Sequence, residues 1–396
     1  MKHKAQKKRI GLVLSSAPGY SETFFRNKIN GLQAQGHDVI LFVDYAPDPN
    51  QNYPCLVVTN AQLDGAFVKR FIGLLGIFLR TLFLHFRKSA QLYQLDRADG
   101  LPLKSRARNL ILNEFLLNYS LDWLHFGFGM LAYQRENVAT AIGAQMAVSF
   151  RGFDLYLSPL KHPGCYDLLF KKQVCYHVLS HEMKNTLIAQ KVSSEHITVI
   201  TPAIDTEFFK NVIQEEQKSV LRIVTIARLH WKKGLEYTLE ALAQLAQSGV
   251  VFQYSIIGAG EEQERLVFAA YQLGVLESVK FLGQLTPKAI REQLAQSDLY
   301  LQYSIQEGFC NAVLEAQAMR LLCVVSDAEG LSENVLHNKT GWVVPKRQPS
   351  LLADQIMNIL KLSKAEQQKI KTTASRRVQE EFNLSKQQIE FEQFYA

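Results

Sequence analysis

Leu221-Arg-Ile-Val-Thr-Ile-Ala227 is the stretch that decides the fold. A short run of aliphatic and β-branched residues, broken only by Arg222, reads as a strand buried on both faces. An amphipathic stretch follows over 234–247, then a second apolar run at 252–257, another amphipathic stretch over 261–273 and a third run at 279–282. Buried strands separated by helices predict a parallel, doubly wound α/β sheet. Towards the N terminus the same rhythm appears, with runs at 10–14 and 39–43 around an amphipathic stretch at 21–35. It continues at 123–125, 146–150, 174–179 and 197–200. The polar segment 210–220 (Gln214, Glu215, Glu216, Gln217, Lys218) separates the two series. Two Rossmann-like domains facing each other across a cleft are expected, 1–210 and 211–375. A helical segment, 376–396, is expected to pack back toward the first. Such sheets bind ligands beyond the carboxyl ends of their strands, so the cleft is the expected site.

Composition agrees with a globular chain. At 396 residues it is too long for one ordinary core, and 47% hydrophobic with 20% charged residues excludes disordered and collagen-like sequence. Five scattered cysteines, with no spacing suited to zinc, read as reduced thiols of a cytosolic protein. The basic start, Met1 to Arg9, runs into an ordinary strand without a cleavage site and is not read as a signal peptide. Charge is uneven: residues 1–210 hold 24 Lys and Arg against 16 Asp and Glu, the remainder 20 against 21. The excess points to an anionic partner. Its densest part, 66–109, contains Lys69, Arg70, Arg80, Arg87 and Lys88, which flank or interrupt the apolar run 68–86. That run is too short and too interrupted to span a bilayer. It fits an interfacial helix on an anionic membrane surface, or equally a buried helix of the first domain.

Three elements of the second half carry chemistry. Arg228 and Lys233 lie between a strand end and a helix start, where two fixed cations suit a diphosphate. Gly258-Ala-Gly260 closes the next strand, for a tight turn or for backbone approach to a ligand. Glu307 and Glu315 bracket the start of a helix over 311–319, eight residues and about 12 Å apart if helical. That exceeds the ~5–5.5 Å carboxylate pair of a retaining glycosidase. It suits two carboxylates gripping the two ends of one long ligand through vicinal hydroxyls.

Together, Arg228, Lys233-Gly234, Gly258-x-Gly260, Phe281-Leu-Gly283 and Glu307-x7-Glu315 resemble the retaining glycosyltransferases of family four, which have the GT-B fold. Gly36-His-Asp-Val39, Asp205-x-x-x-Phe209, Ser326-Asp327 and Lys339-Thr-Gly-Trp-Val-Val344 extend the match. In the first half, the segments 17–24, His125-Phe-Gly127 and Arg151-Gly-x-Asp154 are similar to members building exopolysaccharide, capsule or lipopolysaccharide. The resemblance implies a nucleotide-sugar donor, UDP on family frequency, held mainly by the second domain, and a lipid-linked or oligosaccharide acceptor bound by the first at the inner membrane face. It implies that Arg228 and Lys233 neutralise the diphosphate, Glu315 binds ribose and Glu307 the donor sugar. Amides at Phe309, Cys310 and Asn311 are expected to seat sugar and phosphate, and Gly258, Gly260 and Gly283 to line the donor site. His125 is expected near the anomeric carbon and Gly19 close to the phosphate. The sequence departs from the family at Cys310, usually Gly, and at Glu329-Gly330, usually Gly-Gly. No Asp-x-Asp motif occurs, so neither metal nor cofactor is expected. A nucleotide-sugar epimerase and an inactive donor-binding partner share much of this pattern. Nucleic-acid binding is disfavoured, since the basic residues accompany aliphatic runs rather than spaced aromatics.

Overall fold

The computed structural model describes residues 7–19, 23–45, 53–61, 67–210 and 220–396, with the backbone alone at 67–71 and Leu82. The linker 211–219, and the Tyr20–Glu22 part of the 17–24 motif, lie outside these residues.

Among the described residues, thirteen strands form two wholly parallel sheets. The first has the order β3-β2-β1-β4-β5-β6-β7. Its strands are β1 (Arg9–Leu14), β2 (Asp38–Val43), β3 (Leu56–Thr59), β4 (Trp123–Phe126), β5 (Gln145–Ser149), β6 (Cys175–Val178) and β7 (Ile197–Val199). The second has the order β10-β9-β8-β11-β12-β13. It comprises β8 (Leu221–Ile226), β9 (Phe252–Ile257), β10 (Val279–Gly283), β11 (Leu299–Gln302), β12 (Leu322–Ser326) and β13 (Trp342–Val344). The deciding stretch is thus β8, central in its sheet, with Leu221 opposite Phe252 and Ile226 opposite Ile257. Ile223 and Val224 are fully enclosed, as a strand covered by helices on both faces requires. The helix Leu235–Gln247 turns Leu235, Leu239 and Leu242 onto this sheet at helical spacing. Each such leucine contributes about 1.5–3 kcal/mol of burial.

The chain divides into two compact units. Unit 1 is Met1–Val178, Lys184–Ile200 and Gln388–Ala396; unit 2 is Leu179–Met183 and Thr201–Gln387. The boundary falls ten residues before the expected one because the segment after Ile200 is tied into unit 2. The Ile204 amide donates to the Phe382 carbonyl at 3.0 Å, and Arg291 lays its guanidinium over the Phe208 ring. The helix Lys364–Glu381 also stays with unit 2, where Arg377 donates to the carbonyls of Glu333 and Asn334. Only the chain end joins unit 1: Trp123 Nε1 donates to the Tyr395 carbonyl at 3.2 Å, and Phe391 and Tyr395 enter the core around β1.

The run expected as one helix over 68–86 is broken at His85 into Phe67–Leu84 and Phe86–Ala98. Ile72, Leu75, Leu79 and Phe83 form an exposed stripe on the first of these, with Phe83 80% accessible. The opposite face is packed, with Thr81 buried and Ile77 and Phe78 half-buried, so the helix is neither wholly buried nor wholly exposed. Among the described residues no helix is long and apolar enough to cross a membrane.

Candidate functional site

In unit 2 the strand order reverses between β8 and β11, and ligands of open α/β sheets bind beyond the carboxyl ends of strands at such a point. The chain leaves β8 through Ala227–His230 into the short 3-10 turn Trp231–Lys233. Gly234 follows at φ +63°, and a Cβ there would meet the Tyr303 carbonyl oxygen at 2.1 Å. Only glycine lets this turn seat against the exit of β11. The amides of Ile305 and Gln306 then donate to the Lys232 carbonyl at 2.7 and 3.2 Å, joining the two loops.

This junction brings Lys233 and Glu307 into an ion pair, each side chain 14% exposed. Burial works to lower the Lys233 ammonium, but the Glu307 carboxylate beside it prevails and holds its pKa above the ordinary value. Arg228 is exposed, and close enough for its charge to act on Lys233. The helix Asn311–Ala318 carries Glu315 in its second turn. The Glu315 carboxyl is half-buried, and among the described residues it has no ion-pair or hydrogen-bond partner; desolvation pushes it up to about 7. Two cations and two carboxylates, one paired and one waiting, thus gather around the ends of β8 and β11.

Gly258 and Gly260 serve backbone approach, though to the chain itself. A Cβ at Gly258 would meet the Ala227 carbonyl oxygen at 2.0 Å, and one at Gly260 the Leu229 carbonyl oxygen at 2.2 Å. They wedge against the loop presenting Arg228. Gly283 ends β10 at φ +65°, and its carbonyl accepts from the Gly258 amide at 2.8 Å.

The expectation for the Cys310 amide is corrected: it donates to Asn334 Oδ1 at 3.0 Å while Asn334 Nδ2 returns a bond to the Cys310 carbonyl. That amide is committed to the fold. Phe309 packs its ring on Phe382, and Asn311 begins the helix. Cys310 in the usual glycine position costs little, since φ −124° is ordinary extended backbone. Glu329, noted in the sequence only as a departure, holds the site together. Its carboxylate accepts from the Glu307 amide at 2.9 Å and from Lys346 Nζ at 3.2 Å. Gly330 beside it leaves 1.8 Å between a hypothetical Cβ and the Gly308 carbonyl oxygen, so glycine is required there too.

Unit 1 corrects a further expectation. His125 has no accessible surface. Its Nε2 faces Ser149 Oγ at 2.7 Å, and Lys28 Nζ and the Tyr395 hydroxyl meet Nδ1. Ser149 continues to His177, whose Nε2 bonds the Ile200 carbonyl. Desolvation, aided by Lys28, holds the His125 pKa well down, and both ring nitrogens are engaged inside unit 1. Asp154 of the Arg151-Gly-x-Asp154 motif is likewise internal, accepting from the amides of Gly129 and Arg151 at 2.6 Å. Gly19 stands exposed in the loop after β1.

Of the basic candidates, Lys88 is not available to a surface, since it donates to the carbonyls of Leu117 and Tyr119. Arg80 pairs with Glu114 at 2.7 Å although its own side chain is 58% exposed. Arg87 is exposed. The side chains of Lys69 and Arg70 lie outside the described residues.

Residues 204–377 match the family described as Glycosyl transferases group 1. Over 269 residues the chain is 30% identical to the amylovoran biosynthesis glycosyltransferase AmsK of Erwinia amylovora, spanning 66% of each chain. It is 24% identical over 396 residues to the putative colanic acid biosynthesis glycosyltransferase WcaL of Escherichia coli K12, covering 95% of this chain and 96% of that one. In fold it is similar to Anabaena Alr3699/HepE, solved in complex with UDP and glucose, with TM-score 0.71 and 16% identity over 98% of both chains. Sucrose-phosphate synthase from Thermosynechococcus elongatus is as similar, with TM-score 0.73 and 18% identity over 98% of both. The architecture is that of GT-B enzymes, and the chain belongs to the group 1 glycosyltransferases.

Proposed function

We propose that the protein transfers a sugar from a UDP-sugar to a hydroxyl of a lipid-linked saccharide during cell-surface polysaccharide synthesis. The observation that carries this reading is the set of Arg228, Lys233, Glu307 and Glu315 at the β8–β11 reversal. Lys233, kept protonated by Glu307, and exposed Arg228 supply positive charge where a diphosphate departs. Glu315 accepts from the ribose hydroxyls, a role that relieves its unpartnered carboxylate. Glu307, on a loop fixed by Glu329 and Gly330, grips hydroxyls of the donor sugar. The two cations do the work that a divalent ion does in other transferases, so transfer proceeds without added metal. Configuration at the anomeric carbon is retained by front-face attack: the acceptor oxygen bonds to that carbon as the bond to the leaving phosphate breaks. The departing phosphate takes the acceptor's proton. The printed names of AmsK and WcaL support an exopolysaccharide product, and the HepE complex supports UDP.

The exposed stripe Ile72, Leu75, Leu79 and Phe83, with Arg87 in the following helix, supports docking on an anionic cytoplasmic leaflet where a lipid-linked acceptor resides. The test of the donor reading is thermal shift against UDP-, GDP-, ADP- and CMP-sugars with and without EDTA. Stabilisation by a UDP-sugar that survives EDTA is expected. Stabilisation only by another nucleotide, or only with Mg²⁺ or Mn²⁺, overturns it.

A further inference from the structure

The donor reading gives Glu329 no task toward the ligand, although its carboxylate stands beside the loop that bears Glu307. One Glu329 oxygen accepts from the Glu307 amide at 2.9 Å, and the other accepts from Lys346 Nζ at 3.2 Å. Each oxygen keeps a lone pair for a further donor. The pair is also reachable, with the Glu329 side chain 20% exposed and that of Lys346 36%. Its footing is set on both sides. The Gly330 amide donates to the Glu307 carbonyl at 3.1 Å, and the Lys346 amide donates to Asp327 Oδ1 at 2.8 Å. The Ser326 hydroxyl, donating to the Ser304 carbonyl, ties the start of the same loop to the exit of β11. Glycine, the residue of the family pattern at 329, would bring neither the charge nor the hold on Lys346.

The charges here come in pairs. Lys233 answers Glu307, Lys346 answers Glu329, and exposed Asp327 adds a further carboxylate. A neutral hexose suits such a wall, because its hydroxyls donate to carboxylate oxygens. A uronate does not. Its carboxylate would face those of Glu307 and Glu329, while Lys346, the cation it needs, is already engaged. Like-charge juxtaposition of this kind is how a site turns away a wrong ligand. We propose that Glu329 is a specificity-determining residue: by holding Lys346 and presenting its own carboxylate, it admits neutral hexose donors and rejects UDP-uronates. The inference rests on the donor reading, which seats the donor sugar at Glu307.

Calorimetry compares UDP-glucose with UDP-glucuronate and UDP-galactose with UDP-galacturonate, each pair differing only at C6, with UDP as the anchor. The quantity read is the ratio of Kd for the uronate to Kd for its neutral counterpart within one protein, taken for the epimer that binds more tightly. A general loosening of the loop cancels in that ratio. In wild type it should be at least about tenfold, ~1.4 kcal/mol. Glu329→Gln keeps an oxygen for the Glu307 amide but loses the charge, and should bring the ratio below about threefold. Glu329→Gly, which also releases Lys346, should bring it to about one or below, and adding Lys346→Met should raise it again by at least about threefold. A wild-type ratio near one, an unmoved ratio in Glu329→Gln, or an unmoved ratio on adding Lys346→Met to Glu329→Gly overturns the filter. If neither UDP nor any UDP-sugar binds wild type, the donor reading fails and takes the filter with it. If UDP and a UDP-hexose bind while the ratio fails, the filter falls alone.

Discussion

Lys28 is buried and Lys233 half-buried, and their surroundings are opposite. Lys233 meets the Glu307 carboxylate, and its pKa is raised despite burial. Among the described residues no carboxylate pairs with Lys28. Its ammonium faces His125, lies 4.3 Å from the Phe391 ring centroid, and has its pKa held well down by desolvation, then by Arg151. One site keeps a permanent charge beside an exposed arginine at a strand reversal; the other seals a reluctant charge under aromatic rings. Charge that is paired yet reachable can serve a ligand. Charge that is enclosed without a counter-ion is a cost of the fold.

The largest effect expected from this contrast is on turnover. Lys233→Met or Arg228→Ala should lower sugar transfer about 10²–10³-fold, ~2.7–4 kcal/mol in the barrier, as for loss of one preorganised charge. Steady-state turnover of the UDP-sugar checks it. Activity within tenfold of wild type in either variant would dissolve the distinction between the two lysines.

The sequence showed the sheet order's raw material well. The apolar runs were legible because a strand covered on both faces admits few polar residues, and β8 and β9 lie where the runs place them. Strand β3 escaped because Leu56 is exposed and the run is four residues long. At the site, Arg228, Lys233, Glu307 and Glu315 were legible as spacing beside strand ends. Their partners were not. The Lys233–Glu307 pair depends on the Gly234–Tyr303 contact, which joins residues far apart in the chain and leaves no local pattern. Glu329 was visible only as a residue out of family pattern, and its bond to the Glu307 amide needed the fold. His125 misled because a histidine near a strand end reads the same whether β5 and the chain end cover it or not.

The next effect concerns the exposed apolar stripe of unit 1. Phe83→Ser with Arg87→Gln should cut cosedimentation with vesicles containing anionic lipid about tenfold at low salt, since one basic residue contributes on the order of 1 kcal/mol and the aromatic adds to it. High salt should weaken wild-type binding, given a Debye length of ~8–10 Å. UDP affinity should not change. Equal pelleting of variant and wild type breaks the membrane assignment.

Glu315 sharpens the comparison through pH. Its carboxyl, pushed up to about 7 by desolvation, is mostly protonated near pH 6 and ionised near pH 8. Ribose hydroxyls donate better to the carboxylate, so nucleotide binding releases a proton and affinity rises with pH. UDP should bind up to about tenfold tighter at about pH 8 than at about pH 6, and Glu315→Gln should lose that part of the dependence. The variant retains the ionisation of UDP itself, which makes the difference between the two profiles the diagnostic quantity. Identical profiles sink the ribose assignment.

The smallest effect belongs to Lys28. Its folded pKa lies well below 10.5, so between the two values the unfolded chain binds more protons than the folded one. By linkage, its unfavourable contribution is relieved as pH rises through that interval toward the unfolded value. Replacing a buried charge by an apolar side chain of similar length is often neutral or stabilising. The cation–π contact with Phe391 offsets part of that gain, up to about 2 kcal/mol when desolvated. Lys28→Met should therefore raise Tm by about 2–4 °C at neutral pH, a net gain of about 1 kcal/mol in a unit of this size. The gain should shrink toward pH 10 as wild type sheds its proton. Calorimetric unfolding at the two pH values measures both. A fall in Tm at neutral pH would mean that the ammonium, through His125 and the aromatic rings of the chain end, holds unit 1 together more than its burial costs.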